Sequence, residues 1–142
     1  MNDIKIVRQP ILLQSSFVTE LPMVNAPTSK AEINISAGAM SPEDNVNVSE
    51  VTLAVTVFVY EQKQDGERGG KMYEISSTMS TIFEKGDECA QEQFGKFLKV
   101  DALSIMYSYM RAHFTHITAE SPFKALVLPY IEFSEQDIQL NN

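Results

Sequence analysis

With 142 residues and 44% hydrophobic content, the chain is long enough to bury a core without disulfides and too apolar to be disordered. A formal charge of −8, from 19 Asp and Glu against 11 Lys and Arg, argues against nucleic acid as a ligand, because no excess of cations is present to displace phosphate counterions. The longest apolar run falls short of the ~18 residues of a membrane span, no secretory signal opens the chain, and the single Cys89 excludes an internal disulfide or a cysteine-built zinc cage, which together favour the cytoplasm.

Ile4 to Glu20 reads as a long strand marked by Ile4, Ile6, Ile11, Leu12, Leu13, Phe17 and Val18. Pro10 cannot donate to a ladder, so this strand belongs at a sheet edge or carries a bulge there. Glu20 to Thr28 holds Pro22 and Pro27 and reads as an extended crossing segment. Ala31, Ile33, Ile35 and Ala37 then alternate with Glu32, Asn34 and Ser36, the signature of a strand with one wet face. A loop follows from Gly38 to Asn47.

The dominant feature is a long hairpin from Ser49 to Lys85. Val51, Leu53, Val55, Val57 and Val59 share one face of its first strand, and Thr52, Ala54, Thr56, Phe58 and Tyr60 share the other. Residues 64–70, with three glycines and no apolar side chain, read as a loose loop. The return strand puts Tyr73, Ile75, Met79 and Phe83 on one side, and Met72, Glu74 and Ser76 on the other.

After Lys85 the period changes. Asp87 is expected to cap a short helix over Cys89 to Phe94 that ends or bends at Gly95, and Asp101 to cap a longer one. On the longer helix Leu103, Met106, Tyr107, Met110, Phe114 and Ile117 recur along one stripe until Ser121-Pro122 stops it. Residues 123–133 form an extended apolar segment. The pattern predicts an α+β domain over residues 1–133: a four-stranded antiparallel sheet with a short and a long C-terminal helix packed on one face. Residues 134–142 read as a polar, frayed tail. Such a sheet offers more apolar face than two helices can hide, so the remainder should go to another subunit or a ligand.

No catalytic constellation stands out. His113 and His116 can present two imidazoles to a metal, but only Glu120 follows at a useful spacing, and a half-exposed polar flank explains the pair. Cys89, near a helix start, fits a small buried residue. The sequence has no nucleophile elbow, phosphate loop or dinucleotide fingerprint. Neither a metal nor a cofactor is expected. Six internal methionines suit either ordinary core filling or surfaces that accept varied apolar shapes.

The order of elements resembles the SecB-type protein-export chaperones. Val51 to Val57 looks like that family's hydrophobic third strand, and Tyr73-Glu74-Ile75 through Thr81-Ile82-Phe83 like its fourth. Tyr109-Met110-Arg111 resembles its Tyr-x-Arg, and Phe123 through Leu126-Val127-Leu128-Pro129-Tyr130 its Leu-x-Leu segment with the aromatic that follows. The resemblance implies a non-enzymatic holdase for unfolded preproteins, assembled as a homotetramer, a dimer of dimers, which hands clients to the translocase motor SecA; a role beside a toxin–antitoxin pair is the variant reading. On that footing Phe58, Tyr60 and Met72 are expected along one wall of a client groove and Phe123, Leu126 and Leu128 along the other, with Glu74 docking SecA. The rival reading, from a different class, is a small-molecule carrier or enzyme whose pocket is lined by Phe58, Tyr60 and Tyr73.

Overall fold

A computed structural model describes residues 3–20, 29–63, 65–121, 126–133 and 139–141. Four long strands, β1 (Ile4–Thr19), β2 (Ser29–Met40), β3 (Val48–Gln62) and β4 (Arg68–Lys85), precede two helices, α1 (Gln91–Lys99) and α2 (Asp101–Ala119), and a short β5 (Gln139–Asn141). The sheet order is β1-β4-β3-β2-β5. All pairings are antiparallel except the last, where β5 runs parallel to Gly38–Met40. The fold is the expected α+β arrangement, with the crossing segment at residues 21–28 outside the described residues.

The valine row creates the core. Val51, Leu53, Val55 and Val57 have no exposure, and the register sets Val57 against Ile75 and Leu53 against Met79. α2 covers this face with Leu103, Met106, Met110 and Phe114, all fully buried, and the shorter α1 adds Phe94 and Leu98. Each such side chain contributes ~1.5–3 kcal/mol on burial, so the helical stripe and the strand alternation select the same surface.

Pro10 acts as its chemistry requires. β1 lies at the sheet edge, and its register against β4 shifts between Arg8 and Ile11. A second irregularity lies in the hairpin, where Val59 faces Tyr73 but Tyr60 faces Lys71. Met72 is left without a partner in β3 and is buried with the core.

Local details differ from expectation in several places: β2 takes in Gly38–Met40, read from the sequence as loop, and Gln139–Asn141 of the expected frayed tail pair with them as β5. Gly69 and Gly70 belong to β4, not to the loop; a Cβ at Gly69 would stand 3.0 Å from the Glu61 carbonyl oxygen, so the glycine permits a close approach of strands. Only Gly66, at φ +86°, does turn work. Asp87 does not cap α1, which starts at Gln91 with Ala90 at the cap position and continues through Gly95. The residues before it form a turn in which Cys89 N–H donates to the Gly86 carbonyl (3.2 Å) and the Lys85 ammonium to the Cys89 carbonyl (2.8 Å). Asp101 is the first helical residue of α2, so its charge meets the helix dipole while Val100 holds the cap position.

Candidate functional site

Phe58 and Tyr60 alternate with the buried Val57 and Val59, which places them on the sheet face away from the helices. There each ring lies beneath a cation. The Arg68 guanidinium sits 4.3 Å from the Tyr60 centroid and pairs with Glu32 at 2.8 Å. The Lys71 ammonium sits 5.5 Å from the Phe58 centroid and bridges Glu74 (3.1 Å) and Glu20 (3.2 Å). Hydrogen bonds to Glu74 and then Glu20 raise the Lys71 pKa. Each cation is drawn to the ring by its electron-rich face. Glu74 is therefore a half-exposed member of a charged lattice over two aromatic rings. Further along the same sheet, Arg8 donates to both Ser80 and Glu50, and Ser80 donates to Glu50. The Ser80 bond, opposed by desolvation and helped by the contacts with Arg8, holds the Glu50 carboxyl below its usual range.

Leu126 and Leu128 lie on the other side of the molecule, against α2. Three side chains spaced four apart on one stripe of that helix clasp successive parts of the segment. Tyr107 donates to the Pro129 carbonyl at 2.7 Å, Arg111 Nε to Leu128 at 3.0 Å, and Thr115 to Leu126 at 2.8 Å. Burial raises the Tyr107 phenol pKa, which keeps the donor protonated. Thr118 accepts the Leu126 N–H at 2.6 Å, and Phe133 packs edge-on to Tyr107 at 5.7 Å. Leu128 is fully buried and Leu126 half-buried, while Val127 and Tyr130 project outward at 68% and 77% exposure.

Phe58 with Tyr60, and Leu126 with Leu128, thus stand on opposite sides of the sheet, so a single chain does not bring them together as facing walls. Met72 is turned into the core by the bulge, and Phe123 lies outside the described residues. The exposed Val127 and Tyr130 were missed, though alternation counted outward from Leu126 and Leu128 points to Val127. The trio proposed to line a small-molecule pocket does not meet either, since Tyr73 packs on the helix side against Phe17 (5.3 Å). A cavity of about 330 Å³ opens instead at the α1 end between Ile4, the buried Cys89 and Phe97.

β1 supplies the other apolar surface. Val7, Ile11, Leu12, Leu13 and Val18 are 41–54% exposed, and the outer edge of the strand has no partner among the described residues. Its Ser15 hydroxyl joins the Ser77 hydroxyl (2.9 Å) to His113 Nε2 (3.1 Å), linking the edge strand to α2. Burial, then the neighbouring His116, lowers the His113 pKa. His116 itself approaches Glu120 at 3.8 Å. Among the described residues no group of three or more His, Cys, Asp or Glu is arranged to hold a metal, and no helix is long and apolar enough to cross a membrane.

Comparison with known proteins gives these observations a context. The family profile described as preprotein translocase subunit SecB matches residues 14–137. A sequence search of curated proteins found no match. Among solved structures, the Mycobacterium tuberculosis Rv1957 SecB-like chaperone, in complex with a ChAD peptide from the Rv1956 HigA1 antitoxin, superimposes with a TM-score of 0.75 at 12% identity over 92% of this chain and 91% of that one. A Streptococcus agalactiae protein of unknown function superimposes with a TM-score of 0.43 at 10% identity over 89% of this chain and 98% of that one. The sheet-then-helix order, the clasped Leu-x-Leu segment and a family match over most of the length lead to one conclusion: the chain belongs to the SecB family.

Proposed function

We propose that the protein is a cytoplasmic holdase that binds unfolded or precursor polypeptides through exposed apolar surface and works without chemistry of its own. The observation that carries the reading is the surplus of exposed apolar side chains, on β1 and at Val127 and Tyr130, in a member of the SecB family whose core is already closed. Soluble monomers seldom leave large apolar patches uncovered unless something binds them. The −8 charge opposes self-association through those patches by mutual repulsion.

The same reading assigns the β1 edge to assembly. A long edge strand rich in apolar residues, whose outer side has no neighbour among the described residues, is a template for another strand, and a second copy of the chain satisfies it symmetrically. A tetramer, as a dimer of dimers, follows if the helical layers then meet. Client grooves would form between subunits, which reconciles Phe58 and Leu126 standing on opposite sides of one chain. Glu74 and its charged lattice are the proposed docking surface for SecA.

The direct test is suppression of aggregation of a reduced, unfolded test protein, with solution mass recorded by light scattering before and after mixing. A rise in mass with suppression supports the holdase. A protein that neither suppresses aggregation nor gains mass refutes it. The antitoxin peptide bound by the M. tuberculosis chaperone motivates a second reading, in which the client is a short peptide from a toxin–antitoxin partner. Saturable binding of such a peptide without capture of the unfolded protein would favour that role.

A further inference from the structure

We infer that the cavity at the junction of α1 and α2 is a binding site for a free apolar amino acid, whose side chain enters the cavity while its carboxylate meets Lys96 and its ammonium meets Asp101. The site is independent of the holdase reading and of the surfaces that reading uses. One residue, Val100, with φ −123° and ψ −65°, separates the two helices, and its N–H still donates to the Lys96 and Phe97 carbonyls at 3.2 and 3.3 Å. Residues five apart in an unbroken helix stand about 140° apart around its axis. The break at Val100 instead brings Lys96, in the last turn of α1, and Asp101, the first residue of α2, to one cavity. Both are exposed, which puts their charges at its mouth.

The volume, about 330 Å³, exceeds the ~150 Å³ that accepts one benzene-sized group, and leaves room for a polar head beside it. The interior is apolar: Ile4 at the start of β1, Phe97 and Val100, with the buried Cys89 thiol beside them. An edge-on contact with the fully buried Phe83, at 5.2 Å, holds the Phe97 ring in place. The remaining lining is Lys96, Asp101 and the exposed Gln93 amide. An apolar floor with a few convergent polar groups is how small-ligand sites are built.

The charges select the ligand. Lys96 and Asp101 line the same cavity, yet neither forms an ion pair with the other or with another described residue. An apolar anion would satisfy Lys96 but leave Asp101 facing its carboxylate, and an apolar cation would meet the converse repulsion. A molecule with both charges on one carbon and an apolar side chain satisfies both, and leucine and phenylalanine have that form. Phenylalanine has roughly a dozen non-hydrogen atoms, which at the efficiency of ordinary ligands corresponds to a Kd of about 1 mM.

The chain's one thiol reads the site. Cys89 is 5% exposed and lines the cavity, so an occupied cavity should slow its alkylation by iodoacetamide. In the full chain, L-phenylalanine at about ten times its Kd should slow alkylation about tenfold and raise the melting temperature. N-acetyl-L-phenylalanine, which lacks the ammonium, and L-phenylalaninamide, which lacks the carboxylate, should each bind severalfold more weakly, the scale of an exposed ion pair. In Lys96→Gln the amide should protect as well as the free amino acid, and in Asp101→Asn the acetylated form should do so. Both positions are exposed, so neither variant should alter the circular dichroism. Equal protection by all three compounds in the parent, unchanged in both variants, shows a pocket for apolar groups alone and overturns the amino-acid assignment. Absence of protection and of any thermal shift with both L-phenylalanine and L-leucine overturns the site.

Discussion

Replacing Ile11 and Leu13 with lysine tests the assembly proposed for β1. These side chains are 41% and 54% exposed, so each has roughly half its surface left to bury. Full burial of an isoleucine or leucine stabilises by ~1.5–3 kcal/mol, which leaves about 1 kcal/mol for each remaining half. A twofold interface uses every residue twice, so two substitutions per chain remove about 4 kcal/mol from the dimer, close to a thousandfold increase in Kd. Lysine on an edge strand also opposes further pairing by requiring its ammonium to be desolvated. Sedimentation velocity across the low micromolar range should show the variant at a fraction of the parent mass, with unchanged circular dichroism, since neither side chain belongs to the core. A variant with full mass at every concentration would refute the edge-pairing argument and move the interface elsewhere.

Phe58→Ala and Leu126→Ala, made separately and together, should each weaken capture of unfolded protein about thirtyfold if they are binding hot spots worth ~2 kcal/mol. If they face one another across an intersubunit groove and touch the same client, the double variant should lose less or more than the sum of the two; loss of assembly mass instead of binding would reassign them to an interface. Glu74→Lys removes the ion pair with Lys71 and places two cations side by side, so affinity for SecA in a binding assay should fall while solution mass is unchanged. Tyr107→Phe deletes the donor to the Pro129 carbonyl at a cost of about 1 kcal/mol, and should speed hydrogen exchange of residues 126–133 while leaving β3 and β4 protected. His113 has a lowered pKa, so the unfolded chain takes up its proton first: the neutral imidazole's full stability is present above its ordinary 6.5 and declines as pH falls through the lower folded value. Thermal melts of the parent should lose more between pH 7 and pH 5 than those of His113→Gln, and identical losses would remove His113 from the acid response.

The core was legible because two independent periodicities demanded the same surface. The row from Val51 to Val59 repeats every second residue, and the α2 stripe through Leu103, Met106, Met110 and Phe114 repeats every third or fourth; neither can be buried without the other. Pro10 located the sheet edge for a reason internal to its own chemistry. Met72 was misplaced because parity counting assumes an unbroken ladder. The bulge that turns it inward is a property of the pairing between Tyr60 and Lys71, and neither local sequence carries it. Asp87 failed as a cap because the turn at Gly86 and Cys89 uses the backbone where a helix was expected to begin.

The candidate site divides along the same line between local and long-range determinants. Strand alternation exposed Phe58 and Tyr60 to the helix-free face, but their cationic covers come from across the hairpin. Counting the ladder pairs, with Tyr60 against Lys71 and Gln62 against Arg68, brings those cations to the same end of the sheet. The clasp on residues 126–129 had no comparable signal, since its acceptors are main-chain carbonyls, which look alike in any sequence. Of the three donors, Tyr107 was visible only as a member of the apolar stripe and Arg111 only within the Tyr-x-Arg resemblance, while no pattern marked Thr115. Their donors fix Leu128 inward, and the alternation of an extended chain then leaves Val127 outside. The clasp therefore orders the segment so that part of its apolar content closes the core and part stays exposed, where the proposed holdase would offer it to a client. Cutting one donor should loosen both parts together, which ties the stability of this segment to the surface proposed to bind clients.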